Sequence, residues 1–457
     1  MVLNKNKESK WFEKSLKKSV RSIYIPKEIF EKLNLKNSDT IAVRIRSNKQ
    51  NFMYPVRVSK RDTPTGLSFS FNIPPKFKNL LNNDICVKIM KLEEIENYLI
   101  KFNKKVIKVK SKEFIITNWL ESDNVVIWSK HTGYRTNDPI ITHKVLKLNK
   151  TLLSYLGLYM TDGNKKRNYK LFASTKDIFN LAINGYRDII LNPSFSVVLN
   201  YDKFVKDKRV DSTIIKDVKS HWEKVIPNVD SIKIEISTRR LNTLKKSKAR
   251  LPFGSVFIKD NRTLSGFFHV FLIKCVLKKF KDDKDALTYF FVGGALGDFY
   301  PSIRPRNKAF NWLEIATNKE EVYIWKNICT RLKFNYKEKI REGNSVLLCV
   351  HGYFNVISLL KKGLFKQYGK RREKTVNGLK NRIETYIFNA FKRSSKKTID
   401  WKDEFLNKTN SFFIVNKGLD LVKNKLVKFN KRERKVTITN KGHIFIKDLL
   451  KLNILEE

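Results

Sequence analysis

Acidic residues are scarce in this sequence: 44 Asp and Glu stand against 94 Lys and Arg, for a formal net charge of +50. An AT-rich genome would raise Lys, Asn and Ile together, but it would raise Glu with them, so the sign imbalance points to a polyanionic partner. Cysteine is nearly absent. The four present, Cys86, Cys275, Cys329 and Cys349, lie far apart without a CxxC pair, which argues against a zinc ribbon or a disulfide framework. The six histidines form no i, i+4 pair and none pairs with cysteine, so no histidine-based metal site is expected. Long apolar runs are missing too. None approaches the ~18 residues of a membrane span, and residues 1–18 lack the apolar core of a signal peptide. An intracellular setting is expected: cytoplasm, nucleoid, or an organelle in a eukaryote. The charge is spread over expected sheets and loops and is not gathered on one amphipathic helix, which disfavours a membrane surface.

What is there suits a globular chain, with 41% hydrophobic and 12% aromatic residues. Its 457 residues suggest about two to four domains, and an α+β multidomain fold is expected. Residues 1–19 read as a basic arm. In 20–95 one pattern occurs twice. The first copy is Arg21-Ser22-Ile23-Tyr24-Ile25-Pro26-Lys27, a helical stretch from Glu28 to Leu35, an Asn37-Ser38-Asp39 turn and the strand Thr40 to Ile45. The second is Phe71-Asn72-Ile73-Pro74-Pro75, a helical Lys76 to Leu81, an Asn82-Asn83-Asp84 turn and the strand Ile85 to Ile89. Proline opens each helix, where its missing N–H costs nothing. The order resembles the AbrB-like swapped-hairpin DNA-binding module, which implies a small β-barrel completed here by one chain. Residues 96–145 read as a connecting β-segment, with Lys105 to Trp119 and Val125 to Ser129 strand-like. The lysine-rich stretch 386–457 shows helical Glu404 to Phe413 and Leu419 to Leu426, a strand Lys435 to Thr439 and a helix His443 to Leu452. It resembles a winged-helix domain.

The middle carries the chemistry. Tyr155-Leu156-Gly157-Leu158-Tyr159-Met160-Thr161-Asp162-Gly163 is an apolar helix ending in an acid, and Phe291-Val292-Gly293-Gly294-Ala295-Leu296-Gly297-Asp298-Phe299 repeats the shape 136 positions on, 298 − 162. Small residues on one face let two helices touch backbone to backbone and bring the terminal acids together. Two adjacent carboxylates repel, and a divalent cation that prefers hard oxygen ligands relieves the repulsion. Matching phrases follow each motif: Ala173-Ser174-Thr175-Lys176-Asp177 and Ala316-Thr317-Asn318-Lys319-Glu320 each lead into a helix. A later strand–turn–helix recurs at Ser231 to Leu244 and Ser345 to Leu360.

These segments resemble the paired motifs of single-chain LAGLIDADG homing endonucleases. The resemblance implies a pseudo-twofold fold of two αββαββα halves, 146–265 and 266–385, with Gly157, Gly163, Gly293 and Gly297 in motif packing. It also implies that Asp162 and Asp298 are the catalytic Mg²⁺ ligands. The closing glycine of the motif is kept as Gly163 and replaced by Phe299. From the closing segment Leu364 to Lys370, Lys370 is the candidate catalytic cation, ahead of Lys361 and Gln367. Candidate DNA contacts are Lys165, Arg167, Lys170, Lys233 and Arg239 in the first half, and Arg304, Arg306, Lys308 and Asn311 in the second. The expected activity is site-specific cleavage of double-stranded DNA by a monomer. The alternatives are a cleavage-inactive DNA-binding transcriptional regulator and an RNA-splicing maturase acting on structured RNA.

Overall fold

The computed structural model describes residues 9–15, 22–37, 39–47, 50–63, 66–72, 84–91, 106–109, 112–118, 124–129, 139–143, 145–146, 148–165, 168–204, 210–224, 226, 232–239, 254–341, 343–400, 420–430, 432–433 and 435–455. The chain is mixed α+β with several small sheets, and no described helix is long and apolar enough to cross a membrane. The expected helices at 76–81 and 404–413 lie outside the described residues.

The N-terminal elements are β1 (Phe12–Ser15), β2 (Ser22–Ile25), α1 (Lys27–Lys32), β3 (Thr40–Ser47), β4 (Gln50–Arg57), β5 (Ser59–Thr63), β6 (Gly66–Asn72) and β7 (Asp84–Lys91). The two sequence copies interlock: β2 pairs antiparallel with β6, Ile23 opposite Phe71, and β3 pairs antiparallel with β7, Arg44 opposite Lys88. The expected barrel does not close among the described residues. Two sheets form instead, ordered β1-β7-β3-β4 and β2-β6-β5. The chain passes from one to the other at Val58, whose N–H donates to the Asp39 carbonyl. Apolar side chains at alternate positions, such as Ile23 and Phe71 from one sheet and Val43 and Val87 from the other, enclose a separate core.

Strands β8 (Val106–Val109), β9 (Lys112–Asn118), β10 (Asn124–Ser129) and β11 (Ile140–His143) make an antiparallel meander. Two side chains of the first motif half fasten it in place. Asn192 Oδ1 accepts from Ile141 N at 2.8 Å, and Arg262 Nη1 donates to the Pro139 carbonyl at 3.1 Å.

The first half runs α2 (Lys150–Asp162), β12 (Tyr169–Ala173), α3 (Lys176–Ile189), β13 (Phe195–Phe204), α4 (Asp211–Glu223), β14 (Lys233–Arg239), β15 (Ser255–Asp260) and α5 (Thr263–Lys279). This is not the expected αββαββα order. Between α2 and β12, where a further strand was expected, the described residues hold only the isolated bridge Gly163–Leu171. The stretch between β13 and β15 adds α4 and an edge strand, β14, which pairs parallel with β13. The strand between β12 and β13 is therefore β15, followed by α5, and the expected recurrence at 231–244 moves to 255–279. The expected boundary at 265/266 falls inside α5.

The second half runs α6 (Lys284–Gly294), β16 (Phe299–Ile303), β17 (Phe310–Asn318), α7 (Val322–Arg331), β18 (Asn335–Ile340), β19 (Ser345–His351) and α8 (Tyr353–Lys361). Its order is αββαββα, with the antiparallel sheet β16-β17-β19-β18. Then come α9 (Gly369–Lys380), α10 (Ile383–Ser394), β20 (Thr398–Asp400), β21 (Val427–Asn430), β22 (Lys435–Ile438) and α11 (Asn440–Lys451). The expected 385/386 boundary cuts α10. This C-terminal region shares the core of the two halves, with Phe445 of α11 packed on Phe354 and Phe388. Arg382 Nη1 donates to the Phe310 carbonyl at 3.2 Å while Arg382 pairs with buried Glu384 at 2.7 Å.

Candidate active site

The two motif helices are anchored at their starts and touch along their length. Asn149 Oδ1 accepts from Leu152 N at 2.8 Å and Asp283 Oδ1 accepts from Ala286 N at 3.0 Å, capping α2 and α6. A methyl group on Gly157 would overlap the Phe290 carbonyl, and one on Gly293 would overlap the Ser154 carbonyl. Only glycine permits this approach. Ser154 Oγ donates across the contact to the Tyr289 carbonyl at 3.2 Å. Gly163 takes no part in the contact: its free side is filled by the Tyr159 ring and carbonyl of its own helix. Phe299, in the place of the second closing glycine, is fully buried against Phe291 and Trp325 as β16 begins.

The acids sit where the helices end. Asp162 is the last residue of α2. After Gly294 the chain turns through 295–298 into β16, and Gly297 lies so close to Thr161 Oγ1 and the Asp162 carboxyl carbon that no side chain fits between. Burial, and then the repulsion of Asp298, push Asp162 up to about 7. Asp298 opens to the cleft, yet the protein walls around it still raise its pKa by desolvation, with a smaller upward push from Glu321. Two cations oppose these shifts at both acids, Arg371 and Lys165.

Arg371, one residue beyond the expected Lys370, is the cation supplied by α9. Its Nη1 donates to the Gly297 carbonyl at 2.6 Å and to the Ala295 carbonyl at 3.2 Å, and its guanidinium lies 4.3 Å from the Tyr368 ring centre. Lys370 is exposed and is not among the groups that shift either acid. Lys361 is drawn away by Asp448 of α11 at 2.6 Å. The Gln367 carbonyl accepts from Thr175 Oγ1 at 3.2 Å. Lys165, expected on the DNA face, turns into the site: Nζ donates to the Met160 carbonyl at 2.6 Å and to Glu321 Oε2 at 2.7 Å. A pocket of about 270 Å³ opens here, lined by Lys165, Asp298, Thr317, Glu321 and neighbours.

The remaining candidates described fall on the first half's sheet and at a turn of the second. Lys170, 4.1 Å from the Phe257 ring centre, shares an outward face with Lys259 and Lys233. Glu235 engages Lys233 at 3.3 Å and Lys259 at 3.6 Å. Arg239 ends β14, and Arg167 lies outside the described residues. Arg304, Arg306, Lys308 and Asn311 gather at the β16–β17 turn, where Arg304 Nε donates to Asn311 Oδ1 at 3.3 Å. Exposed Lys337, Lys339 and Arg341, at and just beyond β18, were missed, although their period-two spacing marks one face of a strand.

Among the described residues no group of three or more His, Cys, Asp or Glu could hold a metal ion. No protein-family model and no curated protein matches the chain.

Proposed function

We propose that the chain is a site-specific endonuclease of double-stranded DNA, built on a LAGLIDADG-like pair of halves and dependent on Mg²⁺ held by Asp162 and Asp298. The observation that carries this reading is the glycine-only helix contact, which sets two partly desolvated carboxylates together at the end of a shared helix pair. Such a pair suits Mg²⁺, which takes one or two carboxylates and completes its shell with water and phosphate oxygens. The bound ion would supply Lewis-acid activation of water and stabilisation of the leaving oxygen. The chain's own contribution is placement. The α2–α6 contact fixes the acids, and Arg371 ties the turn before Asp298 to α9. Lys165 adds positive charge near both acids. The sheet faces, the AbrB-like N-terminal unit and the winged-helix-like C-terminal region would hold the duplex. With about eight phosphates neutralised, log affinity falls against log salt with a slope of roughly −7.

Incubation with supercoiled host DNA and Mg²⁺ tests the reading, with linear product expected. Asp162→Asn and Asp298→Asn should each slow cutting by at least about a thousandfold while leaving affinity in EDTA unchanged. Persistent supercoils despite tight binding would assign the chain to regulation instead. Preference for structured RNA over duplex DNA would favour a maturase.

A further inference from the structure

The outward face of the first half's sheet carries an apolar row that lies outside the core. Alternation along the strands sends Leu171 of β12, Ile258 of β15 and Leu199 of β13 into the core. Their neighbours Phe172, Phe257 and Val198 face the other way and lie side by side across three strands, Phe172 opposite Phe257 and Phe257 opposite Val198. The two rings meet edge to face at 5.4 Å. None of the three residues belongs to the core beneath the sheet, and both rings are only half-buried.

The next row in register is cationic. Lys170 stands opposite Lys259, and its Nζ sits 4.1 Å from the Phe257 ring centre. Burial, and then Lys259, hold the Lys170 ammonium below its ordinary value, with Glu235 opposing. An incoming anion would relieve that crowding. Lys233 ends the apolar row opposite Val198. Rings rimmed by lysines fit a surface that is anionic at its edges and apolar in small spots between. The DNA major groove is such a surface: phosphates border it, and the thymine C5-methyl is the apolar group on its base edges. Its width of about 12 Å accepts three adjacent strands, which span about 10 Å. The outward face of the second half is of another kind. There Trp312 gives its N–H to Glu314 at 2.9 Å and lies 4.3 Å from Lys339 Nζ.

We propose that Phe172 and Phe257 pack on thymine C5-methyl groups in the major groove, so that the first half selects a thymine-bearing half-site, with Lys170 and Lys259 on the flanking phosphates. The inference rests on the duplex-binding reading and adds to it the base that one half selects.

The probe is a duplex that the full wild-type chain enriches from a random-sequence library in EDTA, rebuilt with deoxyuridine for thymine in one half of the site at a time. Deoxyuridine lacks only the methyl. Substitution in one half should weaken binding about fourfold for each methyl contacted, and substitution in the other half should change it little. The double variant Phe172→Gln, Phe257→Gln should bind the thymine duplex as weakly as the wild type binds the responsive uracil one and should not distinguish the two, with melting temperature little changed. The single variants Phe172→Leu and Phe257→Leu keep an apolar side chain and should each lessen the discrimination without removing it. Equal wild-type affinity for thymine and uracil duplexes, equal losses from the two halves, enrichment of thymine-free sites, or variants that fold and discriminate as the wild type does would overturn the inference alone. A library from which no duplex enriches would overturn the duplex-binding reading and this inference with it.

Discussion

Tyr155 and Phe291 occupy the same place in the two motif helices, 136 positions apart, and the cores around them are built from different chemistry. Tyr155 Oη lies 2.8 Å from His269 Nε2 and 3.0 Å from Tyr169 Oη, and all three residues are fully buried. His269 Nδ1 faces the Ser265 carbonyl at 2.7 Å and therefore carries the proton, which leaves Nε2 as an acceptor. Burial pushes this histidine down to about 4, so it stays neutral at ordinary pH. The polar set continues through Tyr186, Asp260 and Arg262. Phe291 instead meets the rings of Phe299, Trp325 and Phe334 in edge-on contacts of 4.8 to 6.1 Å, within the apolar core. The sheet faces differ as well. Glu235 engages two lysines in the first half, whereas Lys337, Lys339 and Arg341 form no ion pair among the described residues. The first half surrounds its motif residue with directed bonds, while the second packs rings against its own and leaves the β18 cations without an ion pair among the described residues.

The sharpest break in that contrast is Asp260→Asn. It leaves Arg262 buried without its anion and should cost about 3–5 kcal/mol in chemical denaturation. Exchanging the motif residues comes next. Phe291→Tyr forces a hydroxyl into an apolar core for about 1–3 kcal/mol, and Tyr155→Phe should cost about 1–2 kcal/mol by leaving His269 Nε2 short of a partner. Equal costs below about 0.5 kcal/mol for both would show the two cores to be interchangeable. The faces can be compared by salt titration of duplex binding. Removing the charges of Lys337, Lys339 and Arg341 should reduce the slope by about three, and removing those of Lys170, Lys233 and Lys259 by about one, since Glu235 already offsets the latter.

The smallest effect separates the acids. The folded state holds Asp162 near 7, above its unfolded value, so the protonated form stabilises the fold. That contribution is complete below about pH 4 and is lost as pH rises through about 7. Asparagine mimics the protonated form at every pH. Asp162→Asn should therefore melt a few degrees higher than wild type at pH 8 and equal it at pH 4. The more open Asp298 should gain less. A melting temperature unchanged at pH 8 would contradict a desolvated acid pair.

The acid pair was legible because an apolar, small-residue segment ending in Asp occurs twice in the sequence, and that pattern is local, although the second helix stops at Gly294, four residues short of its acid. The strand order of the second half followed for the same reason. Distant partners were not legible. Lys165 reads as one more lysine after a motif until Glu321, 156 positions away, turns it inward. Lys370 and Arg371 are neighbours in sequence, and only the rotation of α9 decides which of them meets the acids. The β13–β15 insertion was misplaced because β14 has the alternation of a second-half strand yet pairs parallel at an edge.

Arg382 reaches from the start of α10 to the Phe310 carbonyl in β17, and Lys361 grips Asp448 of α11. The C-terminal region is thereby welded to the second half. Among the described residues α10 runs unbroken from the second half into that region, so any contact the region makes would stand at a set distance from the cleft. Under the proposed duplex-binding function such a molecule would measure like a ruler: shifting the outer contact by half a helical turn, about five base pairs, would carry it to the opposite side of the rod.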